Sequence, residues 1–525
     1  MKLSINPELA KSLAPVVDQL IAAEIASRLS AKDDTIWGPA AQPEASIRLG
    51  WIDSFKAAVD LIPSILSLRD QFRAQGIDRF VLCGMGGSSL APEVITKNAG
   101  VELVVLDATT PDQVQAAIRE LPKTAVVVSS KSGSTAETDS QKRIFEKAFS
   151  DAGINPLERI VIVTDPGSPL DVASRAAGYK VFNADPNVGG RYSALTAFGL
   201  VPSGLAGADI TALLASANQA APSFGFDSLD NQSLWLAAAL VRSPGSFGYR
   251  DKFLIETDSI PGFGDWAEQL VAESTGKEDR GVLPVVVTSR AVELNLDLGD
   301  TLVVRASELE PSKEHVSFHG SLGELFLLWE HATAIAGYIL GINPFDQPNV
   351  ESAKVAAREL LDSPAKAREV DFVDRGVSVK SYGFEVLGST VEAAIEQLIA
   401  KADSVSYFSL QVYLNREEYP QFEELREVLA KRTSRPTTFG WGPRFLHSTG
   451  QYHKGGPKQA LVIQITGEAG MDLDVPGRPF SFGTLIAAQA QGDAKVLAEN
   501  SIPVVTLHLS EPLAGLELLT KVIAS

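Results

Sequence analysis

The sequence has a single cysteine, Cys83, in 525 residues. That excludes an internal disulfide, and with no cysteine cluster it removes the usual zinc frameworks; both absences suit a reducing compartment. No run of apolar residues approaches 18, and the opening stretch MKLSINPELA has no apolar signal-peptide core. Neither a membrane span nor secretion is indicated, and the cytosol is the expected location. Basic residues are in deficit: 46 Lys and Arg stand against 65 Asp and Glu, a net charge of −19 with a pI near 4.9. A field of that sign repels phosphate polymers, so neither nucleic acid nor an anionic membrane is an expected partner. A small anionic substrate needs a locally basic pocket. Short-period repeats and low-complexity tracts are also missing.

What is present is the composition of a globular protein, 45% hydrophobic and 21% charged, in a chain too long for one ordinary core. Apolar runs rich in β-branched residues alternate with helical patterns. RFVLCGM (79–85), VELVVLDA (101–108), TAVVVSS (124–130), RIVIVTD (159–165) and YKVFNA (179–184) read as strands with helices between them. Near-continuous apolar strands joined by helical crossovers predict a doubly wound parallel sheet, covered on both faces. A second series runs through KFLIETD (252–258), VLPVVVTS (282–289) and TLVVRAS (301–307) to a long apolar helix over 322–341. The third comprises SYFSLQVYL (406–414), an acidic helix over 416–431, QALVIQIT (459–466) and IPVVTLHLS (502–510). The expected organisation is a helical segment (1–45), two doubly wound α/β domains (46–235 and 236–365) and a C-terminal α/β extension (366–525).

Two strand ends carry chemistry. SSKSGSTAET (129–138) packs six hydroxyls, a lysine and a glycine where a buried strand runs out, and a helical pattern follows it. In doubly wound sheets, ligands sit beyond the carboxyl ends of strands, where helix N-termini turn N–H groups toward an anion. GMGGSSLAPE (84–93) ends the first strand the same way. A single Gly/Ser turn is ordinary helix capping; two of them one strand apart predict a shared phosphate site. Neither matches a nucleotide-hydrolysing P-loop, GMGGSS departs from the dinucleotide fingerprint, and no acidic residue at a second strand end suits a ribose.

With NVGGRYSALTAFGL (187–200), EQLVAESTGKEDRG (268–281) and NPFDQPNVESAK (343–354), these motifs come in one order over roughly residues 45–360. In them the chain resembles the glucose-6-phosphate isomerases of the sugar isomerase (SIS) fold, with two SIS domains plus the extension. Including GPRFLHSTGQYHKGG (442–456), it looks most like the isomerase half of bifunctional transaldolase/phosphoglucose isomerases; there is no room ahead of it for a transaldolase barrel, so isomerase activity alone is expected. The resemblance implies a hexose 6-phosphate substrate, no metal or organic cofactor, and a homodimer. It also implies residue roles. Glu273 matches the base that moves a proton between C1 and C2, and Arg191 the cation facing the enediolate. Lys354 matches a ring-opening residue. Gln269, Gln347, Gly87, Ser88, Gly190 and Thr138 match substrate contacts, and Ser130, Lys131, Ser132 and Thr135 the phosphate loop. Without the motifs, Glu273 and Lys354 read as solvated helix residues.

One part of the family pattern is missing. A ring-opening histidine, given by the partner subunit, is expected about twenty residues beyond the base, and VVVTSRAVELNLDLGD has none. Of the six histidines, His331 and His508 read as packing residues, and His315 and His319 flank a connecting segment. His447 and His453, in HSTGQYHKGG, lie in an expected loop and are the candidate replacements. An isomerase that also accepts mannose 6-phosphate and a non-catalytic sugar-phosphate sensor are the alternatives; retention of Glu273, Arg191 and Lys354 weighs against the sensor.

Overall fold

The computed structural model describes residues 1–313, 315–362 and 368–525. Ahead of the helices expected at the N-terminus stands a strand, β1 (Lys2–Ile5). Its successor helix Pro7–Ala22 starts where Asn6 accepts from the amides of Glu8 and Leu9, with proline in the first turn, where a missing N–H costs nothing.

Strands β2 (Arg79–Gly84), β3 (Val104–Leu106), β4 (Thr124–Ser129), β5 (Ile160–Thr164) and β6 (Lys180–Asn183) form the first sheet, in the order β3-β2-β4-β5-β6. All its pairings are parallel. The chain steps from β2 outward to β3, then returns to the other side of β2 as β4. The strand order therefore reverses between β2 and β4, and their carboxyl ends carry the two hydroxyl-rich loops. A small ribbon, β7 (Pro244–Gly245) and β8 (Gly248–Tyr249), leads into the second sheet. Its strands β9 (Lys252–Glu256), β10 (Leu283–Val287), β11 (Thr301–Ala306) and β12 (Val316–His319) join β1 in the order β1-β12-β11-β9-β10. Only β1 runs antiparallel, at the edge.

The third sheet has β13 (Phe372–Asp374), β14 (Val377–Tyr382), β15 (Tyr407–Tyr413), β16 (Thr437–Trp441), β17 (Ala460–Gly467) and β18 (Val504–Leu509), ordered β13-β14-β18-β17-β15-β16. Strands β15 to β18 are mutually parallel, and β13 and β14 form an antiparallel edge. One face builds its own core from Val379, Leu410, Ile463 and Leu507. The amino-terminal half of the other face, with Tyr407, Val462 and Val504, shares a core with Leu254, Leu283 and Val285 of the second sheet. The extension is therefore packed into the body of the protein.

Local chemistry explains several departures from the expected elements. The acidic helix starts at Glu424, because Asn415 accepts the amides of Glu418 and Tyr419 in a turn that ends at Pro420. Strand β3 is three residues long. The segment expected to loop around His453 is a short helix, Gly450–Gly455.

Docking of the extension is polar as well as apolar. Arg444 donates from Nη1 to Glu93 and to Asp107, each at 2.6 Å, and from Nη2 to Asp265 at 3.1 Å. Asp107 is an acidic residue at a second strand end after all, but it is committed to Arg444 and to Arg416 at 3.4 Å. Burial opposes the charge of Glu93, yet Arg444, Arg416 and Lys97 outweigh it and hold its carboxyl far below the usual range. Such a group adds stability that is complete above the unfolded value of about 4.3 and is lost as pH falls.

Removing one partner of a buried ion cluster leaves the others uncompensated, at about 3–5 kcal/mol. Arg444→Met is therefore expected to lower the melting temperature and to flatten the loss of stability between about pH 4.3 and more acid conditions; calorimetry across pH checks both. An unchanged melt would remove the cluster from the docking account. The two glycines where the loops cross differ sharply. A Cβ at Gly87 would lie 2.0 Å from the carbonyl oxygen of Gly190, whereas one at Gly190 meets nothing within 4 Å. Gly87→Ala should destabilise by on the order of 1–3 kcal/mol and Gly190→Ala by much less, read from their thermal melts.

Candidate active site

The site gathers at the carboxyl edge of the first sheet, where the turns Gly86–Ser88 and Gly190–Tyr192 pack on the helix Phe263–Thr275. The helix Phe263–Thr275 carries Gln269 and Glu273 four residues apart, hence on one face. Both are buried. Nε2 of Gln269 donates to Oε2 of Glu273 at 3.0 Å. Arg191, in the turn Gly190–Tyr192, points Nη1 at Oε1 of Glu273 from 3.4 Å.

That guanidinium is fixed on every side. Nε donates to Ser274 at 2.7 Å, Nη2 to the carbonyls of Pro344 and Asp346 at 2.7 and 3.1 Å, and Nη1 to Oε1 of Gln347. Arg191 thus straps the segment 343–347 onto the helix Phe263–Thr275, and Lys277 does the same from the other side. Lys277 Nζ reaches the carbonyls of Asn343 and Asp346 and Oδ1 of Asp346 at 2.6–2.7 Å. Burial, with Arg191 nearby, lowers its pKa to about 8. The helix Pro348–Asp362 continues from this strap; it contains Lys354, whose side chain lies outside the described residues. Lys277 carries no signal of its own in the sequence although it lies within a quoted motif, because its work is to bind backbone carbonyls 66 and 69 residues away.

In the hydroxyl-rich loop, Ser130 Oγ stands 3.2 Å from Thr135 Oγ1 and accepts the amide of Gly133 at 3.2 Å. Gly133 has a φ of 68°, the left-handed region that glycine enters freely. Ser132 pairs with Ser134 across the exposed tip. Thr135 is the N-cap of helix Ala136–Asp151, so the loop does open onto a helix N-terminus. Lys131 turns away: Nζ pairs with Asp165 at 2.5 Å and also reaches the Pro186 carbonyl. Ser88 is buried in the neighbouring turn. Thr138 Oγ1 and Gln269 Oε1 are buried without a hydrogen-bond partner.

The two candidate histidines part company. His453 is 2% exposed, stacked on Tyr407, with its ring nitrogens facing the Tyr407 hydroxyl at 2.8 Å and the Ser409 hydroxyl at 3.4 Å. Burial pushes its pKa down to about 3. It belongs to the packing of the third sheet, and the structure does not bring it to Glu273. His447 is at the site. Its carbonyl accepts from Nε2 of Gln269 at 2.8 Å, and a Cβ on Gly86 would lie 2.8 Å from that carbonyl and 3.0 Å from the His447 Cβ. Its Nε2 donates to Oε1 of Glu137 at 2.9 Å, and the same oxygen accepts from Gln489 at 2.7 Å. Glu137, in the motif SSKSGSTAET, looks in sequence like any first-turn helix residue; only the fold brings His447 to it, 310 positions away. The helix that holds His453 seals the back of the site, with Gln451 donating to the Gly276 carbonyl and to Asn349, each at 2.9 Å. His331 is a packing residue between Trp51 and Phe224, and His319 pairs with Lys2 in the β1–β12 ladder.

A family model described as phosphoglucose isomerase matches residues 315–380, which include the strap. The chain is similar to the glucose-6-phosphate isomerase of Heliobacterium modesticaldum, 30% identical over 305 residues that cover 47% of this chain and 68% of that protein. It is similar also to the glucose-6-phosphate isomerase of Clostridium tetani, 27% identical over 382 residues, 58% of this chain and 85% of the relative. Among solved structures, a hypothetical protein from Thermus thermophilus shares the fold at a TM-score of 0.57 and 24% identity, over 69% of this chain and all of that one. A glucose-6-phosphate isomerase from Chlamydia trachomatis does so at 0.53 and 19%, over 70% of this chain and 88% of that one. On the length and identity of the match to these relatives, the chain belongs to the glucose-6-phosphate isomerase family.

Proposed function

We propose that the protein is an aldose–ketose isomerase that interconverts glucose 6-phosphate and fructose 6-phosphate through an enediolate. The observation that carries this reading is the buried Glu273 carboxylate facing a fully anchored Arg191 from 3.4 Å, beside two hydroxyl-rich strand ends. Proton transfer between adjacent carbons needs one base that takes the proton from C2 and returns it to C1, and Glu273 fills that role. The negative charge that develops on the two oxygens needs a cation already in place. Arg191 is held by hydrogen bonds to Ser274, Pro344, Asp346 and Gln347, so no reorganisation accompanies the reaction. Thr138 Oγ1 and Gln269 Oε1, buried and unpaired, are left for substrate hydroxyls. Ser130, Ser132 and Thr135 and the helix N-terminus behind them take the phosphate, with Ser88 from the adjacent loop. Lys131, paired with Asp165, contributes field more than contact.

The substrate enters as a ring, which must open before C2 can lose its proton. We assign this step to His447. Glu137 accepts from Nε2 and fixes the ring orientation, Gln489 steadies Glu137, and Nδ1 makes no hydrogen bond among the described residues. An imidazole so oriented can pass a proton to the ring oxygen as a general acid. Lys354, on the helix leading from the strap, is placed by its motif to handle the anomeric hydroxyl. His447 comes from the extension of the same chain, where the family pattern takes its histidine from a partner subunit. The remaining parts of the reading are a homodimer in the cytosol and a kinship with the isomerase half of bifunctional transaldolase/phosphoglucose isomerases, which rests on the segment 442–456.

Two variants separate the steps. Glu273→Gln keeps the size of the side chain but not the base, and is expected to lower kcat by about 10² to 10⁴-fold with both cyclic and open-chain substrates. His447→Asn should slow turnover of cyclic fructose 6-phosphate while leaving solvent proton exchange on an open-chain analogue near the parent rate. The assays are coupled kinetics and proton exchange followed by NMR. If His447→Asn slows both reactions equally, the ring-opening role is lost.

A further inference from the structure

The third sheet has a face unlike the others. Doubly wound sheets bury apolar residues on both sides, and β15, β17 and β18 do so on the face that carries Leu410, Ile463 and Leu507. On the opposite face, toward the carboxyl ends, the side chains in register are polar. Lys380 stands opposite Thr506, Thr506 opposite Gln464, and Gln464 opposite Gln411. The next row is Ser378, His508, Thr466 and Tyr413. The strand order reverses between β15 and β17, since β15 is followed by β16 on one side and by β17 on the other. Ligands of open α/β sheets sit at such a point.

A cavity of about 660 Å³ lies there, roofed by the helix Phe482–Glu499 and closed at one end by Thr110–Asp112 of the first domain. Its size is that of a small-molecule site. Part of the polar lining is internally paired: Thr506 donates to Gln464, Gln464 to the Ala490 carbonyl, and Thr466 meets His508. Part is not. The Tyr413 hydroxyl, on a residue 3% exposed, has no partner, and neither does Oγ1 of Thr110, 6% exposed. Both residues line the cavity. Gln411, 1% exposed and next in the row, has both amide atoms unpaired. Lys380 Nζ makes no hydrogen bond or ion pair among the described residues, while the acids at the rim are occupied: Asp472 accepts from Gly483, Asp112 from Gly470, and Glu468 faces His508. Buried polar groups left unpaired are costly, and retaining several around one cavity points to an occupant that pairs them.

We propose that this cavity is a second ligand site, separate from the isomerase site, for a small polyhydroxylated anion. Lys380 supplies the charge, the hydroxyls and amides of Thr506, Gln464 and Tyr413 meet the ligand's hydroxyls, and Tyr382 and Tyr419 offer flat walls to its C–H faces. The anionic group is a phosphate or a carboxylate. The roofing helix also carries Gln489, which holds Glu137, so an occupant bears on the element that steadies His447.

The test is calorimetric titration of the full chain with glucose 6-phosphate, gluconate, inorganic phosphate and, as a neutral control, glucose. It compares the parent with Lys380→Met and with Ala487→Leu, which fills the cavity from the roof. Neither substitution touches the isomerase site, and unchanged melting temperatures show that both variants fold. The expected result is a binding component for glucose 6-phosphate or gluconate that weakens at least tenfold in both variants, absent for glucose, with kcat for isomerisation intact. Response to the phosphorylated sugar alone identifies a phosphate ligand, and response to gluconate a carboxylate. Isotherms that superimpose in all three proteins, or no anion binding that depends on Lys380, would overturn the proposal. Titrations with glucose 6-phosphate use the Glu273→Gln form of all three proteins, in which binding is read without turnover, so failure of the isomerase reading and failure of this one are told apart.

Discussion

One side-chain amide ties the site together. Nε2 of Gln269 has two hydrogens and gives one to the Glu273 carboxylate and one to the His447 carbonyl. Glu273, beside the second sheet, and His447, beside the third, are thereby held in one frame. Gly86 of the first domain closes that frame, because a side chain there would collide with both the His447 carbonyl and the Gln269 amide. All three layers of the protein meet within these few ångströms. A shift in any of them is felt by Glu273.

Charge is organised on the same plan. The protein is strongly acidic, yet among the described residues three cations at the site are paired: Arg191 with Glu273, Lys277 with Asp346, Lys131 with Asp165. Paired cations are fixed cations, which suits stabilisation of charge that exists only during the reaction. Hydroxyls and backbone amides are then the natural holders of a phosphate that stays charged throughout. Arg444, with its three carboxylates, serves the docking of the extension in the same buried and paired fashion.

Much of this was legible in the residues. Apolar strands such as AVVV and IVIV, separated by helical spacings, announce parallel sheets because both faces must be covered, and the hydroxyl-rich loops announce ligand contacts because they stand at strand ends. The spacing of Gln269 and Glu273 puts them on one helical face. What could not be read was long-range. Nothing local tells that Glu137 will meet His447, that Lys277 will clasp residues 343–346, or that Lys131 will turn to Asp165. His447 and His453 look alike in sequence, both beside glycines and hydroxyls; the structure separates them because Gly450–Gly455 winds into a helix that buries one ring against Tyr407 and leaves the other at the site. Strand β16, with a glycine inside TTFGW, and helix Phe482–Glu499, with Gln489 and Asp493 on its buried side, escaped the hydrophobic pattern because polar residues fill positions where that pattern expects apolar ones.

The central claim is that the catalytic groups, including the ring-opening histidine, are complete within one chain. Co-expressing a Glu273→Gln chain with a His447→Asn chain and assaying the purified mixture tests it directly. If both groups of a site come from the same chain, every site in the mixture lacks one of them, and activity stays at the sum of the two variants alone. Activity rising well above that sum would mean that intact sites form across subunits, with His447 of one chain serving Glu273 of another, and would contradict the account.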